Sequence, residues 1–329
     1  MAMSTGRNSS KKVAVVIPSY RVTAQILNVI AEIPKSIFKI IVVDDQCPEN
    51  TGELVLQDCK DERVTVIIHN RNLGVGGATK TGYEKAMELN ADIVVKIDGD
   101  GQMDPHQLET LIRPLINGEA DYVKGNRFYN IEQIHAMPKL RILGNLVLSF
   151  FSKFSSGYWN IFDPNNGYTA ISSPMLKTLP LEKIANRYFF ESDMLFRLYL
   201  SRAKVVDVAL DAIYADEKSN LKISKSIFEF FGKHFRNTFK RIFYVYYLRD
   251  FGLASIELPL GIFLGLFGIV RGLQSWAHSA SLGIPTTTGT QILVAISCLA
   301  SLQLVLSFAD FDSRNYPENP RFSDTNLLK

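Results

Sequence analysis

Cysteine is scarce in this chain. Cys47, Cys59 and Cys298 stand far apart among 329 residues, and no C-x-x-C pair occurs. A disulfide framework and a cysteine zinc cluster are therefore excluded, and a reducing compartment fits. Net charge is also small. A formal +3 excludes wholesale nucleic-acid binding as the chain's business. The five histidines are dispersed. Only His106 stands beside an acidic loop, and a helix surface suits it better than a metal. The opening "MAMSTGRNSSKK" lacks the apolar centre of a signal peptide and reads as a disordered tail over 1–11. No internal repeat or low-complexity block interrupts the rest.

What is present changes character along the chain. Up to about residue 222 short apolar runs alternate with helical spacings. "KVAVVIP" (12–18), "KIIVVDD" (39–45), "VTVIIH" (64–69), "DIVVKID" (92–98) and "YVKG" (122–125) read as strands. Between them, 26–33, 50–59, 76–89 and 105–116 read as helices. That alternation predicts βαβ units, an α/β fold and a mostly parallel sheet, with ligands held beyond the carboxyl ends of the strands.

The acids stand at those ends. Asp44 and Asp45 close the second run; Asp98 and Asp100, with Gly99 and Gly101, close the fourth. A D-x-D pair on a loop suits Mg²⁺ or Mn²⁺, which would neutralise a diphosphate. Asp104-Pro105 reads as the start of the next helix. "NLGVGGA" lacks the G-x-G-x-x-G spacing and follows the third strand, so it is no dinucleotide fingerprint.

Beyond 222 the text turns apolar and basic. "ISKSIFEFFGKHFRNTFKRIFYVYYLRD" (223–250) interleaves aromatics with Lys225, Lys233, Arg236, Lys240, Arg241 and Arg249. It predicts an interfacial helix on an anionic membrane. "LASIELPLGIFLGLFGIV" (253–270) and "TQILVAISCLASLQLVLSF" (290–308) are each long enough to span a bilayer. A polar connector, "QSWAHSASLGIPTTTG", joins them, and basic residues flank the pair. The positive-inside rule then puts both termini, and with them the α/β domain, in the cytosol. The expected partition is a tail over 1–11, a catalytic domain over 12–222, juxtamembrane helices over 223–250, a transmembrane hairpin over 251–310 and a tail over 311–329.

Four motifs in order, "VVIPSYR", "VVDDQCPENT", "NRNLGVGGATKTG" and D-G-D with Gln102, resemble the family 2 glycosyltransferases. Those are inverting GT-A enzymes that use nucleotide-diphosphate sugars. The resemblance covers about 12 to 220. It implies that Pro18, Tyr20, Asp44, Asp45, Asn72, Gly74, Gly76, Asp98 and Gln102 bind the nucleotide sugar, with Asp45 near the base. It implies that Asp98 lies near ribose and diphosphate and that Asp100, with Asp98, holds the metal. "DPNNGYTAIS" (163–172) resembles the acceptor-side loop of polyprenyl-phosphate glycosyltransferases, with Asn165, Asn166 and Gly167 as its matching core. Arg187 is expected to meet a phosphate. Arg127 is expected either to touch a phosphate or to pair with a nearby acid. Glu191 and Asp193 fall where many family 2 enzymes carry a catalytic base. "YADEKSNLKIS" (214–224) holds Ser219 and Lys222, which are expected to meet the acceptor, but departs from the Arg and Gly-Glu-Ser-Lys stretch of the polyprenyl-phosphate members.

The expected activity is inverting transfer from a UDP- or GDP-sugar to polyprenyl phosphate at the cytosolic membrane face. The membrane would be a bacterial or archaeal plasma membrane or the endoplasmic reticulum. The alternative acceptor is a sugar hydroxyl on a lipid-linked oligosaccharide or glycan, with Asp193 or Glu191 as base. A degenerate membrane scaffold and a transporter fit less well: the first would not keep D-G-D, and two spans make a poor pore. The sequence leaves homo-oligomerisation open.

Overall fold

The computed structural model describes residues 11–129, 139–210 and 223–322. The chain divides into two compact units: Met1–Asn237 with Pro317–Lys329, and Thr238–Tyr316. The division falls inside one helix, not at residue 222.

The first unit is built on a seven-stranded sheet. Its strands are β1 (Val13–Ser19), β2 (Lys39–Asp44), β3 (Val64–Ile68), β4 (Ile93–Lys96), β5 (Tyr122–Asn126), β6 (Thr169–Ser172) and β7 (Val205–Ala209). Their order is β3-β2-β1-β4-β6-β5-β7. β1 and β4 bury nearly every side chain because both faces of a parallel sheet are covered. Helices α1 (Ile26–Glu32), α2 (Thr51–Asp58), α3 (Val75–Glu88) and α4 (Leu108–Ile116) are the crossovers. The core joins Val15, Ile17, Val42 and Val95 on the sheet to Ile26, Leu108 and Leu111 on the helices. Asp104 caps the turn before α4 as expected, accepting from the His106 backbone N–H at 2.9 Å with Pro105 following.

One strand departs from the parallel plan. β6 lies between β4 and β5 and runs antiparallel to both, with Ala170 opposite Val95 and Val123. Its direction matters for the site. Thr169, the first residue of β6, pairs with Lys96, the last of β4. The 163–168 loop is therefore delivered to the carboxyl end of β4, where the D-G-D loop begins.

Helix α5 (Lys139–Ser156), the short α6 (Ser173–Leu176), α7 (Phe190–Leu200) and α8 (Ile223–Phe243) follow. Phe151 of α5 meets Phe231 of α8 with ring centroids 5.3 Å apart. Leu146, Val147 and Phe150 on α5 and Phe231 and Phe235 on α8 remain exposed. α5 has no counterpart in the expectations from sequence.

The second unit is a helical hairpin, α9 (Leu253–Leu282) and α10 (Thr288–Arg314). Both helices are long and apolar enough to cross a membrane, and most of their apolar surface is exposed. The polar connector is a correction. Gln274 to Leu282 continue α9, and only Gly283 to Thr287 form the turn, closed by the Thr287 side chain capping α10. Arg241 is a second correction. It is no surface cation but fully buried, paired with Asp312 at 2.6 Å, and Tyr246 donates to the same carboxylate at 2.7 Å.

Candidate active site

Two acid pairs follow β2 and β4, the strands on either side of β1, and the structure gives each acid a different task. Asp44 is buried, with its two oxygens accepting from the backbone N–H groups of Cys47 and Gly52, each at 2.6 Å. It shapes the turn into α2. Asp45 is buried too. It accepts from the backbone N–H groups of Leu73 at 2.8 Å and Gly74 at 2.6 Å, and its Oδ1 lies 2.8 Å from His69 Nδ1. His69 Nε2 in turn lies 3.0 Å from Thr81. Asn72 donates to the Asp45 carbonyl at 3.0 Å. These bonds tie the glycine loop to the end of β2. Pro18 is buried within β1, and Tyr20 beyond it is exposed.

The glycines let another segment approach. Gly74 has φ +89°, a region that glycine tolerates, and a Cβ there would stand 2.7 Å from the Asn186 carbonyl. A Cβ on Gly76 would stand 2.5 Å from the Ala185 carbonyl. Segment 185–187 thus lies directly on the glycine loop and carries Arg187 beside it.

The centre of the site is a residue that the sequence reading missed. Lys96 is 1% exposed, and its ammonium donates to Asp98 at 2.8 Å, to the Gly167 carbonyl at 3.3 Å and to Glu191 at 3.5 Å. Burial alone would lower its pKa; the carboxylates of Asp98 and Glu191 outweigh that and raise it. A permanent cation therefore joins the D-G-D loop, the Asn-Asn-Gly loop and the start of α7. The signal was a lysine inside an apolar strand, "IVVKID". A Cβ on Gly167 would lie 2.7 Å from this ammonium and 2.9 Å from Asp98. Only glycine lets the two loops meet so closely.

Asp100 is half-buried and accepts from the Gln102 backbone at 3.0 Å. Among the described residues no group of three or more His, Cys, Asp or Glu gathers as a metal cage. Two loop carboxylates still fit Mg²⁺ or Mn²⁺, because such ions are held by one or two carboxylates together with substrate phosphates.

The acceptor-side residues separate. Asn165 is exposed. Asn166 is buried, donating to the Gly125 carbonyl at 2.7 Å and accepting from Tyr168 N–H at 3.0 Å, so it builds the loop. Beneath it, Lys124 donates to the Asn166 carbonyl at 2.7 Å, and burial lowers its pKa to about 8. Arg127 pairs with Asp163 at 2.9 Å, the second of its two expected roles. Asp193 is buried, accepting from Ala185 N–H and from the Asn237 amide, each at 2.9 Å. Glu191 faces the Lys96 centre and Asp193 does not. His106 is exposed on a helical turn. Ser219 and Lys222 lie outside the described residues.

The chain is similar to known glycosyltransferases. A UDP-N-acetylglucosamine–dolichyl-phosphate N-acetylglucosaminyltransferase of Methanococcus voltae is 33% identical over 63% of this chain and 88% of its own. An undecaprenyl-phosphate mannosyltransferase of Micrococcus luteus is 29% identical over 52% and 70%. A dolichol-phosphate mannosyltransferase of Pyrococcus furiosus is 27% identical over 67% and 61%. The fold is shared with glucosyl-3-phosphoglycerate synthase from Mycobacterium tuberculosis solved with uridine-diphosphate. That structure matches at a TM-score of 0.52 and 19% identity over 70% of this chain and 80% of its own. The same enzyme with Mn²⁺, uridine-diphosphate-glucose and phosphoglyceric acid matches at 0.51 and 19%, over the same shares. The fold is therefore GT-A. The model of glycosyl transferase family 2 matches residues 14–179, which hold the sheet from β1 to β6, the glycine loop and the D-G-D loop, and the chain belongs to that family of enzymes.

Proposed function

We propose that this glycosyltransferase moves a sugar from a nucleotide-diphosphate donor to a polyprenyl phosphate at a membrane surface, with its catalytic unit in the cytosol. The observation that carries the acceptor class is Asp193. A phosphate monoester is ionised at neutral pH and attacks without a general base, whereas a sugar hydroxyl needs one. Asp193 spends both oxygens on Ala185 and Asn237, and Glu191 faces a lysine. Neither is a free base. The names of the relatives, which act on dolichyl and undecaprenyl phosphates, support the same acceptor. The exposed apolar residues of α5 and α8 and the hairpin α9–α10 support a membrane setting.

In this reading an oxygen of the lipid phosphate forms the new bond to the anomeric carbon from the face opposite the leaving group. The bond from that carbon to the diphosphate oxygen breaks, its electron pair leaves with the nucleoside diphosphate, and configuration inverts. Asp98 and Asp100 would hold Mg²⁺ or Mn²⁺, which supplies positive charge to the leaving diphosphate. Lys96 keeps Asp98 oriented and adds a buried positive charge beneath the same loop. The Asp45-anchored glycine loop lines the nucleotide, and the 163–167 loop, fastened by Lys124, faces the acceptor.

The test is chemical. Purified protein is incubated with a panel of UDP- and GDP-sugars, Mg²⁺ or Mn²⁺ and undecaprenyl phosphate, and the lipid product is identified by mass spectrometry. Asp193→Asn is run beside it in single turnover with donor saturating. A sugar–phosphate–lipid product with Asp193→Asn turning over within tenfold of wild type is expected. A product glycosylated on a hydroxyl, or a dead Asp193→Asn enzyme that still folds and binds donor, would overturn the phosphate acceptor.

A further inference from the structure

The glycine loop, segment 183–189, the first turn of α7 and the part of α8 before Thr238 line an open cavity of about 540 Å³. Five cations line it: Arg71, Lys183, Arg187, Lys233 and Arg236. Among its described lining residues Asp193 is the one acid. That carboxylate is already bonded to Ala185 and Asn237. Lys233 is offset by Glu229 at 2.6 Å, and Glu229 acts more weakly on Arg187. Arg71, Lys183, Arg187 and Arg236 make no ion pair among the described residues. Three separated chain segments therefore bring like charges into one concavity. Such charges repel unless an anion joins them.

The same stretch of α8 says what kind of anion. Lys233 and Arg236 line the cavity, while Phe231 and Phe235 beside them are 51% and 69% exposed. Basic heads next to an exposed aromatic row are what a helix presents at the level of lipid headgroups. We infer that this cavity binds the phosphate group of a membrane lipid, its chains leaving along the α5 and α8 aromatics. The inference rests on the membrane-surface reading above. The cavity is a different place from the Lys96 centre; it takes Arg187 of the residues expected to meet the acceptor and Asn72 of those expected to line the nucleotide. Two lipids share the required chemistry: the polyprenyl phosphate acceptor and an anionic phospholipid.

The experiment uses the full chain in uncharged detergent and follows melting temperature against added lipid, since a ligand that binds the folded state raises it. Undecaprenyl phosphate, phosphatidylglycerol, phosphatidylcholine and inorganic phosphate are compared on wild type and on Arg71→Ala/Arg236→Ala. Charged hydrogen bonds are worth enough that the double variant should need at least about tenfold more lipid for the same rise. Arg71→Gln, a milder change at an exposed residue, should need more lipid too and stands in if the double variant unfolds. A response to undecaprenyl phosphate alone identifies the occupant as the acceptor; an equal response to phosphatidylglycerol identifies a headgroup. A rise with phosphatidylcholine as large as with the anionic lipids overturns the inference, as does a response to inorganic phosphate only, or wild-type behaviour in both variants. Sugar transfer is measured on the same samples. Transfer with an unchanged lipid requirement in the variants removes the cavity and leaves the reaction. Lipid binding lost in the variants, with no transfer to polyprenyl phosphate, removes the reaction and leaves the cavity.

Discussion

Lys96 and Lys124 are both buried lysines, yet their surroundings give them opposite tendencies. Lys96 faces two carboxylates and stays charged. Lys124 bonds a neutral carbonyl, and burial wins. Lys96→Met should leave Asp98 and Glu191 near one another without their cation. We expect turnover at saturating donor and metal to fall about 100-fold or more, the scale for one preorganised charge in such a site. A Lys96→Met enzyme within threefold of wild type would show that the cation has no part in positioning. Lys124 predicts a pH effect. Its folded pKa of about 8 lies below the ordinary 10.5, so between those values the unfolded chain holds more protons. Its destabilising contribution is complete below pH 8 and fades as pH rises to 10.5. Lys124→Met should therefore melt above wild type at pH 7, with the gap closing by pH 10. The same variant should raise the KM for acceptor, because the Asn166 carbonyl loses its anchor. Neither lysine drew attention in the sequence, where acids at strand ends dominated. The sequence sets Asp44, Asp45 and Asp98 on the donor side at strand ends and offers Asp193 as a base. Their hydrogen bonds, made by residues from 2 to 44 positions away, sort them into turn-former, loop anchor, centre and buried brace.

At the scale of elements, the βαβ rhythm was readable because each run alternates apolar strand with amphipathic helix. β6 was not: four residues, "TAIS", carry no direction, and its antiparallel entry is fixed only by pairing with β4 and β5. The hairpin shows a related gain. Hydropathy marked two spans but not their seam. Gly261, Gly265 and Gly268 of α9 face Ser301 and Cys298 of α10 and their neighbours, and a Cβ on Gly265 would stand 2.6 Å from Ser301 Oγ. Ser301 also donates to the Gly261 carbonyl at 2.7 Å. Small residues let two apolar helices approach where burial of apolar surface offers little drive in lipid. Gly265→Leu should force them apart at a cost of about 1–3 kcal/mol. Gly289→Leu, at a position with open space around it, should not. Melting of both variants in the same detergent measures the contrast, and equal behaviour would show that the seam is not tightly packed.

At the scale of the molecule, the change of composition near residue 222 invites a cut there, but the first unit does not end at that point. Asn237 holds the buried Asp193, and His234 lies 2.7 Å from Ser155 between Phe151 and Phe189. Burial lowers the His234 pKa to about 4, so the ring is neutral at pH 7. Further along, the backbone N–H groups of Arg321 and Phe322 donate to Asp121, which makes 317–322 part of the same unit. A fragment ending at 222 loses every one of these partners and leaves the Asp193 carboxylate short of a bond it was buried with, a cost on the order of 1–3 kcal/mol before any lost packing. A fragment ending at 243 keeps Asn237 and His234. We expect the longer fragment to melt higher, to bind nucleotide, and to act on short prenyl phosphates more readily than on long ones. Its stability should fall as pH drops from 6.5 toward 4. The unfolded histidine takes up its proton in that range and the folded one does not. His234→Asn should flatten that fall. Equal melting of the two fragments would place the end of the catalytic unit at 222 after all, and full activity of the longer one on natural-length lipid would take the hairpin out of acceptor presentation.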